Sequence, residues 1–184
     1  MINFREIKET GNWTLFLDRD GVINERLPGL YINQMQDFRL LPGVTDALRV
    51  FDHIFRHIIV VTNQQGIGKG LMTENELAVI HEYMLELIRG KGGRVDHIFH
   101  SPALSADGHP DRKPGTGMAI KAKTLFPDID FSRSVMVGDG ASDILFGQAL
   151  GMKTVWIPST DPKPDFSIEP DLCCRSLKCF AEKF

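Results

Sequence analysis

The sequence predicts a doubly wound, Rossmann-like α/β fold with a mainly parallel sheet. Two observations support this prediction. Short, nearly continuous apolar runs alternate with segments of helical periodicity, which is typical of parallel strands buried on both faces and joined by crossover helices. The 184 residues, 42% hydrophobic and 24% charged, have the composition of a globular protein. We therefore expect a single domain over residues 1–184.

Five strands are predicted from runs rich in β-branched and aromatic residues. They lie at 13–18, 56–62, 95–99, 134–138 and 153–157. Helices fill the intervals, at about 43–54, 73–88, 116–125 and 141–150. The second helix has the clearest start, because the sequence TENE at Thr73 is a capping box and apolar residues follow it at helical spacing.

Composition and charge narrow the class of partner. The net charge of −3, from 21 Lys+Arg and 24 Asp+Glu, favours neither nucleic acid nor an anionic membrane as a partner. The longest apolar run, residues 58–61, is far too short to span a bilayer, and the N-terminal residues do not resemble a secretory signal. The three cysteines are odd in number and lie close together near the C-terminus, as reduced thiols do. We expect a cytoplasmic protein that binds a small molecule, and the oligomeric state stays open.

Polar residues interrupt the pattern where the predicted strands end. In chain order they are Asp18, Asp20, Thr62, Asn63, Arg112, Lys113, Asp139 and Asp143, with the Arg-Lys pair lying in the loop before the fourth strand. Because ligands bind at the carboxyl ends of parallel strands, these side chains are expected to converge. Each has an ordinary alternative, since an aspartate after a strand is often a helix cap and a lone lysine is usually solvated. Together they predict a carboxylate cluster that needs a lysine and a hard divalent cation, and oxygen ligands favour Mg²⁺.

Four short motifs carry a family resemblance. DRDGV, TNQ, RKP and GDGASD occur in the order found in the haloacid dehalogenase (HAD) superfamily of phosphotransferases, and the resemblance covers roughly residues 14–158. The longer stretches LDRDGVIN, GLYINQMQDFRLLPGV, VTNQQGIGKGLMTE and RKPGTGM resemble the branch that acts on D-glycero-D-manno-heptose 1,7-bisphosphate or histidinol phosphate. The resemblance implies a HAD-like fold and a magnesium-dependent phosphatase that works through an aspartyl-phosphate intermediate.

The resemblance assigns the chemistry to the aspartates that follow the strands. Asp18 would be the nucleophile that attacks phosphorus, and Asp20 the general acid/base. Asp18, Asp139 and the backbone carbonyl of Asp20 would bind magnesium. Asp143 would anchor either the metal site or Lys113.

The same resemblance assigns the phosphate contacts. Thr62, Asn63 and Lys113 would bind the transferring phosphoryl group. Arg112 would contact a second phosphate or a sugar hydroxyl, or would simply be exposed, and the sequence leaves these alternatives open.

One departure from the branch concerns a zinc-binding loop of the form C-x-H followed by C-x-C. The corresponding positions here are Ser101, Ala103, His109 and Asp111, so we predict no structural zinc and a loop held by its prolines and local hydrogen bonds. The remaining histidines of low functional priority, predicted to be ordinary surface or interface residues, are His53, His57, His81 and His97.

The short intervals between the motifs leave no room for a large cap domain. Loops 24–41 and 101–111 are expected to cover the site instead, so that water enters and hydrolysis is favoured over transfer. The heptose bisphosphate is the favoured substrate, with histidinol phosphate or another sugar phosphate as the alternative, because Gly140 replaces a basic residue that would help to distinguish them. A DNA 3′-phosphatase is disfavoured by the acidic net charge, and a non-catalytic binding protein by the intact aspartate pair.

Overall fold

The sheet is entirely parallel in the computed structural model, which describes residues 2–27, 30–159 and 169–184. Within these residues it has six strands in the order β3-β2-β1-β4-β5-β6. The strands are β1 (Thr14–Leu17), β2 (His57–Asn63), β3 (His97–Ser101), β4 (Ser134–Gly138), β5 (Lys153–Trp156) and β6 (Leu172–Cys173). This confirms the predicted doubly wound α/β fold.

Helices connect the strands and flank the sheet. The helices are α1 (Phe4–Thr10), α2 (Val44–Asp52), α3 (Gln65–Gly68), α4 (Glu74–Arg89), α5 (Gly117–Leu125), α6 (Ala141–Ala149) and α7 (Leu177–Ala181). The predicted strands and the longer helices agree with the structure to within about two residues. The short elements α1, α3, α7 and β6 were not predicted, because each lacks enough residues to establish a period.

The core lies on both faces of the sheet, as expected for crossover connections. Alternate residues of β1 point to opposite faces, so that Leu15 and Leu17 pack on one side while Phe16 packs on the other. The ring of Phe16 lies 6.4 Å from that of Phe146 on α6. The side containing Leu15 is completed by α2, which buries an apolar stripe that includes Leu48 and Phe51.

Helix α4 begins with the predicted capping box. The Thr73 hydroxyl accepts a hydrogen bond from the Glu76 backbone N–H at 3.2 Å, and the Glu76 carboxylate accepts one from the Thr73 N–H at 2.7 Å. The buried face of the helix includes His81, whose exposed fraction is only 8%. The prediction that His81 is an ordinary surface or interface histidine is therefore wrong, because residue 81 falls on the apolar face set by Ile80 and Met84.

Two further sequence-based expectations concern the cysteines and membrane-spanning helices. Cys173, Cys174 and Cys179 are free thiols, exposed, buried and half-buried respectively. In the described part of the chain, the helices are too short or too polar to cross a bilayer.

Candidate active site

The site is built where the central strands of the sheet end. Leu17 pairs with Val60 of β2 and with Val137 of β4, so the residue that follows β1 is flanked by the ends of two neighbouring strands. The Asp18 backbone N–H donates to Val137 O at 2.9 Å, which fixes the start of the loop. A cavity of about 490 Å³ opens at this edge. All eight predicted site residues line it: Asp18, Asp20, Thr62, Asn63, Arg112, Lys113, Asp139 and Asp143.

A buried ammonium group joins two of these aspartates. Lys113 Nζ lies 2.8 Å from Asp18 Oδ1 and 2.6 Å from Asp143 Oδ1, and it donates to the Val61 carbonyl at 2.7 Å. The ammonium thus makes one hydrogen bond to the backbone and two short ion pairs with the carboxylates. Burial would lower the pKa of Lys113, but the charges of Asp143 and Asp18 outweigh it and raise the pKa. The lysine is therefore charged at neutral pH.

Asp143 combines a structural and an electrostatic contact. Its Oδ2 accepts a hydrogen bond from the Gly140 N–H at 3.0 Å, which caps the start of α6. Its Oδ1 faces Lys113. Asp143 thus contacts Lys113 and caps α6 at the same time, and its place in the metal site, the other alternative considered from the sequence, stays a prediction.

A group of three carboxylates forms the candidate metal site. Oxygen atoms of Asp18, Asp139 and Asp143 all lie within 4.8 Å of one another. Burial raises the pKa of Asp18 to about 7 against the opposing charge of Lys113, and burial together with the charge of Asp143 raises the pKa of Asp139. Burial, with a smaller effect of the neighbouring carboxylates, thus disfavours the ionised forms of Asp18 and Asp139, and an all-oxygen donor set is suited to Mg²⁺.

The glycine of the DRDG motif allows the close approach of Asp139. Gly21 has φ +89°, and a Cβ atom there would collide with the Asp139 carboxylate. The Asp139 carbonyl is fixed in turn by the Trp156 indole N–H, at 2.9 Å. A side chain at position 21 would therefore be strained and would displace a candidate metal ligand.

The Asp20 carboxylate is held by three side chains. Arg19 contacts it through Nε at 3.1 Å and NH2 at 2.9 Å, while Asn24 Nδ2 and Gln64 Nε2 each donate at 2.9 Å. Burial would raise the pKa of Asp20, but the Arg19 charge and the hydrogen bonds from Asn24, Arg19 and Gln64 outweigh it, so the pKa is lowered. Asp20 is therefore an ionised acceptor in this arrangement.

Arg19 and His81 were missed as site residues by sequence reasoning. Arg19 is the middle residue of the DRD motif, yet its exposed fraction is only 1%. Its NH1 lies 3.2 Å from His81 Nε2. The apolar stripe of α4, which includes position 81, was the available signal for the histidine. A charged residue between two aspartates gave no comparable signal of burial.

The last two residues of β2, Thr62 and Asn63, contribute polar side chains that make different contacts. Thr62 Oγ1 accepts a hydrogen bond from Gln64 Nε2 at 3.0 Å, which leaves the hydroxyl proton to donate toward an acceptor in the cavity. Asn63 pairs with the backbone of Lys113, donating to its carbonyl at 3.1 Å and accepting from its N–H at 2.9 Å. This places Asn63 as a brace for the lysine loop, and its predicted contact with phosphate stays a prediction.

Loop 101–111 is held by side-chain and backbone hydrogen bonds and by an ion pair between Asp111 and Lys121. Arg112 NH1 donates to the Ala103 carbonyl at 3.0 Å, and the Ser101 carbonyl accepts from the Gln64 N–H at 2.7 Å. Farther along the loop, Lys121 Nζ lies 2.5 Å from Asp111 Oδ2. Arg112 thus braces the loop with one nitrogen while it lines the cavity.

Residues of the predicted covering loop 24–41 line the cavity, whereas the other predicted covering loop, 101–111, contributes no residue to its lining. Tyr31 lines the cavity, and Lys69 Nζ lies 5.3 Å from the centre of the Tyr31 ring. Arg26 reaches Asp139 Oδ2 at 3.2 Å through NH1. Arg26 and Lys69, which the sequence did not single out, give this mouth two cations in addition to Arg112.

The fold and the site together define the class. A parallel α/β sheet whose first strand ends in two aspartates, with a buried lysine and two more carboxylates beside them, is the arrangement of a HAD-type phosphatase. Residues 111–179 match the family model described as HAD-hydrolase-like.

Individual relatives indicate the branch of this family to which the chain belongs. D-glycero-alpha-D-manno-heptose-1,7-bisphosphate 7-phosphatase of Mycobacterium bovis is 37% identical over 132 residues, 72% of this chain and 70% of that protein. The enzyme of that name from Campylobacter jejuni is 34% identical over 170 residues, 92% of this chain and 96% of that protein. The crystal structure of D,D-heptose 1,7-bisphosphate phosphatase from B. bronchiseptica, complexed with magnesium and phosphate, has a TM-score of 0.81 at 26% identity, covering 93% of this chain and 97% of that one. The chain belongs to the HAD superfamily of phosphatases, in the branch that contains these enzymes.

Proposed function

We propose that this phosphatase depends on Mg²⁺ and removes one phosphate from D-glycero-D-manno-heptose 1,7-bisphosphate through an aspartyl-phosphate intermediate. The observation that carries the mechanism is the position of Asp18, whose Oδ1 is fixed by Lys113 at 2.8 Å and by the Arg19 N–H at 2.7 Å. With Oδ1 held, Oδ2 is the oxygen available to attack phosphorus. The relatives' names support the substrate.

In the first half of the reaction, Asp18 bonds to phosphorus as the bond from phosphorus to the sugar oxygen breaks. The leaving oxygen takes a proton from Asp20. Lys113 and the Thr62 hydroxyl stabilise the negative charge on the phosphoryl oxygens. Asp20 is ionised in the structure, and the like charge of an arriving phosphate raises its pKa, which favours the protonated form needed for this step.

In the second half, the same carboxylate acts as a base. Asp20 takes a proton from a water molecule whose oxygen attacks the phosphorus, and the bond to Asp18 breaks to give inorganic phosphate and the free carboxylate. Asp18, Asp139 and the backbone carbonyl of Asp20 are the groups that would hold Mg²⁺. The bound ion supplies positive charge that offsets repulsion between the nucleophile and the phosphate.

Charge at the cavity mouth favours a substrate with two phosphates. Arg26, Lys69 and Arg112 line the same cavity as the catalytic aspartates. A guanidinium or ammonium group binds a phosphate strongly and gains little from a neutral ring. Heptose 1,7-bisphosphate has a second phosphate for these cations, whereas histidinol phosphate has an amine and an imidazole in its place. Histidinol phosphate or another sugar phosphate is therefore the second candidate.

Competition between substrates tests the proposal. Phosphate release would be measured with Mg²⁺ from both anomers of the heptose 1,7-bisphosphate, from histidinol phosphate and from an oligonucleotide with a 3′-phosphate, with Asp18→Asn as the inactive control. We expect kcat/KM for one bisphosphate anomer to exceed that for histidinol phosphate by at least about tenfold, the value of one modest charged contact. ³¹P NMR would identify the phosphate removed. Equal or reversed kcat/KM values would contradict the proposed substrate.

The proposal keeps the predictions from the sequence about domain, location and partners. We treat residues 1–184 as one catalytic domain that acts on a small molecule in the cytoplasm, without nucleic acid or membrane partners. The DNA 3′-phosphatase alternative is tested by the oligonucleotide in the same experiment.

A further inference from the structure

The buried Arg19 side chain contacts a second residue besides its neighbour Asp20. Its Nε and NH2 both point to the Asp20 carboxylate, and NH1 points away from it, to His81 Nε2 at 3.2 Å. With an exposed fraction of 1%, the guanidinium relies on protein acceptors rather than water. A buried cation is tolerated only when its donors are paired. His81 is therefore a necessary partner of this arginine.

The protonation state of His81 follows from this contact. A guanidinium keeps its protons at any ordinary pH, so His81 Nε2 must accept, and the ring must be neutral with its proton on Nδ1. Burial, with the added charge of Arg19, lowers the pKa of His81 to about 3, which agrees with a neutral ring. The proposed mechanism gives this ring no proton to transfer.

The rigid shape of the guanidinium transmits the position of His81 to Asp20. Two nitrogens contact the carboxylate and the third contacts the ring, so the plane of the group is fixed at both ends. The ring itself is carried by α4, which is anchored by the buried residues Leu77, Ile80 and Met84. Asn24 and Gln64 hold Asp20 through hydrogen bonds of their own.

We propose that Arg19 and His81 form a positioning pair, in which the His81 ring orients the Arg19 guanidinium and the guanidinium holds the Asp20 carboxylate in place for proton transfer. The pair rests on the proposed acid/base role of Asp20. The Arg19 guanidinium contacts the Asp20 carboxylate and His81 contacts the guanidinium, so the histidine acts on Asp20 through Arg19. Groups that orient metal-ligating side chains typically contribute about 10- to 100-fold to affinity or activity, and we expect the same range for this pair.

Two substitutions at one position separate positioning from packing. His81→Gln keeps an acceptor near the place of Nε2, whereas His81→Leu has a similar volume and no acceptor. With the heptose bisphosphate, whose sugar alkoxide needs a proton, we expect His81→Leu to lower kcat by about 10- to 100-fold and to change KM by less than about twofold. His81→Gln should recover most of kcat. The matched control is His97→Leu, because His97 is exposed on β3, outside the cavity lining.

A good leaving group gives a second, independent comparison. With p-nitrophenyl phosphate the first half-reaction scarcely needs a proton, so the burst rate of His81→Leu should stay within about threefold of the wild type while the slow phase falls. Equal losses in the Leu and Gln variants, or equal losses in burst and slow phase, would overturn the pair. Thermal unfolding of each variant shows whether the protein has folded.

The wild-type protein allows a test that needs neither activity nor a variant. ¹⁵N NMR at pH 7 should show His81 as a neutral ring with the proton on Nδ1 and Nε2 unprotonated. A charged ring, or one with its proton on Nε2, would overturn the pair even if all variants fold. If the wild type releases no phosphate from the heptose bisphosphate, the proposed substrate fails, whereas this measurement and p-nitrophenyl phosphate still decide the role of His81.

Discussion

The ammonium nitrogen of Lys113 lies 2.8 Å from Oδ1 of Asp18. Oδ1 of Asp143 lies 2.6 Å from the same ammonium. One buried cation thus stands between the proposed nucleophile and a helix cap, and its removal would leave the carboxylates to repel one another.

Lys113→Met should therefore destabilise the metal-free protein. Breaking a buried ion pair from one side typically costs about 3–5 kcal/mol in the free energy of unfolding. Urea unfolding in EDTA would measure it. The double variant Lys113→Met/Asp143→Asn should recover part of this stability without recovering activity, because it removes one of the uncompensated charges. A loss below about 1 kcal/mol for the single variant, the range of an exposed pair, would contradict the buried contact.

The two aspartates of the DRD motif should fail differently when replaced by asparagine. Asp18→Asn removes the nucleophile and a candidate metal ligand, so no phosphoenzyme can form. Asp20→Asn loses a proton transfer worth about 10²–10⁴-fold. With p-nitrophenyl phosphate, rapid quench should show an initial burst of nitrophenol followed by a slow phase for Asp20→Asn, and no burst for Asp18→Asn. A burst from Asp18→Asn, or identical behaviour of the two variants toward good and poor leaving groups, would exclude these roles.

Magnesium affinity should depend on pH through Asp18. Burial raises the pKa of this carboxyl to about 7, and a metal ligand must be deprotonated, so the ion competes with a proton below that pH. The apparent affinity should rise with pH by about tenfold per unit up to pH 7 and level off above it. Calorimetry in buffers of different ionisation enthalpy should show proton release at pH 6 and little at pH 8.5. An affinity that is constant or falls over this range would contradict the shift.

Arg112→Ala should separate substrates by their second phosphate. A charged hydrogen bond is worth about 1.5–3 kcal/mol, so KM for the heptose bisphosphate should rise by about 10- to 100-fold if the guanidinium binds the distal phosphate. KM for p-nitrophenyl phosphate, which has one phosphate, should change by less than about twofold. Arg89→Ala on the exposed side of α4 is the matched control. Parallel changes for both substrates would instead indicate that Arg112 serves only to brace Ala103.

The purified protein should contain no stoichiometric zinc. Serine at position 101 and alanine at position 103 stand where the resemblance places zinc ligands. Asp111 forms an ion pair with Lys121. Elemental analysis after growth with added zinc and extensive dialysis would measure the content. One zinc retained per chain would show this prediction to be wrong.

The strands and the main site residues could be predicted because their signals are local. A buried parallel strand is a continuous apolar run, and an aspartate directly after it, such as Asp18 or Asp139, falls at the ligand-binding edge whatever the rest of the chain does. The two-residue strand β6 has no comparable pattern, since its place at the sheet edge depends on pairing with β5.

The contacts of Arg19 and His81 could not be predicted in the same way. They join residues on different elements, and a charged residue inside a motif is ordinarily expected at the surface. Asn63 shows the same limit, because its pairing with the Lys113 backbone depends on how two loops meet. Periodicity shows which face of a helix is buried, but not which polar partner is buried with it.

Asp18 and Asp139 follow neighbouring strands, yet about 120 residues of chain, including β2, β3 and four helices, lie between them. Contacts of this sequence separation form late, because the entropy of closing so long a loop is recovered only when the intervening elements have docked. Return of phosphatase activity after dilution from denaturant therefore reports completion of the central sheet. A divalent cation that binds both carboxylates cannot guide the early steps, and it acts instead by mass action on the finished fold.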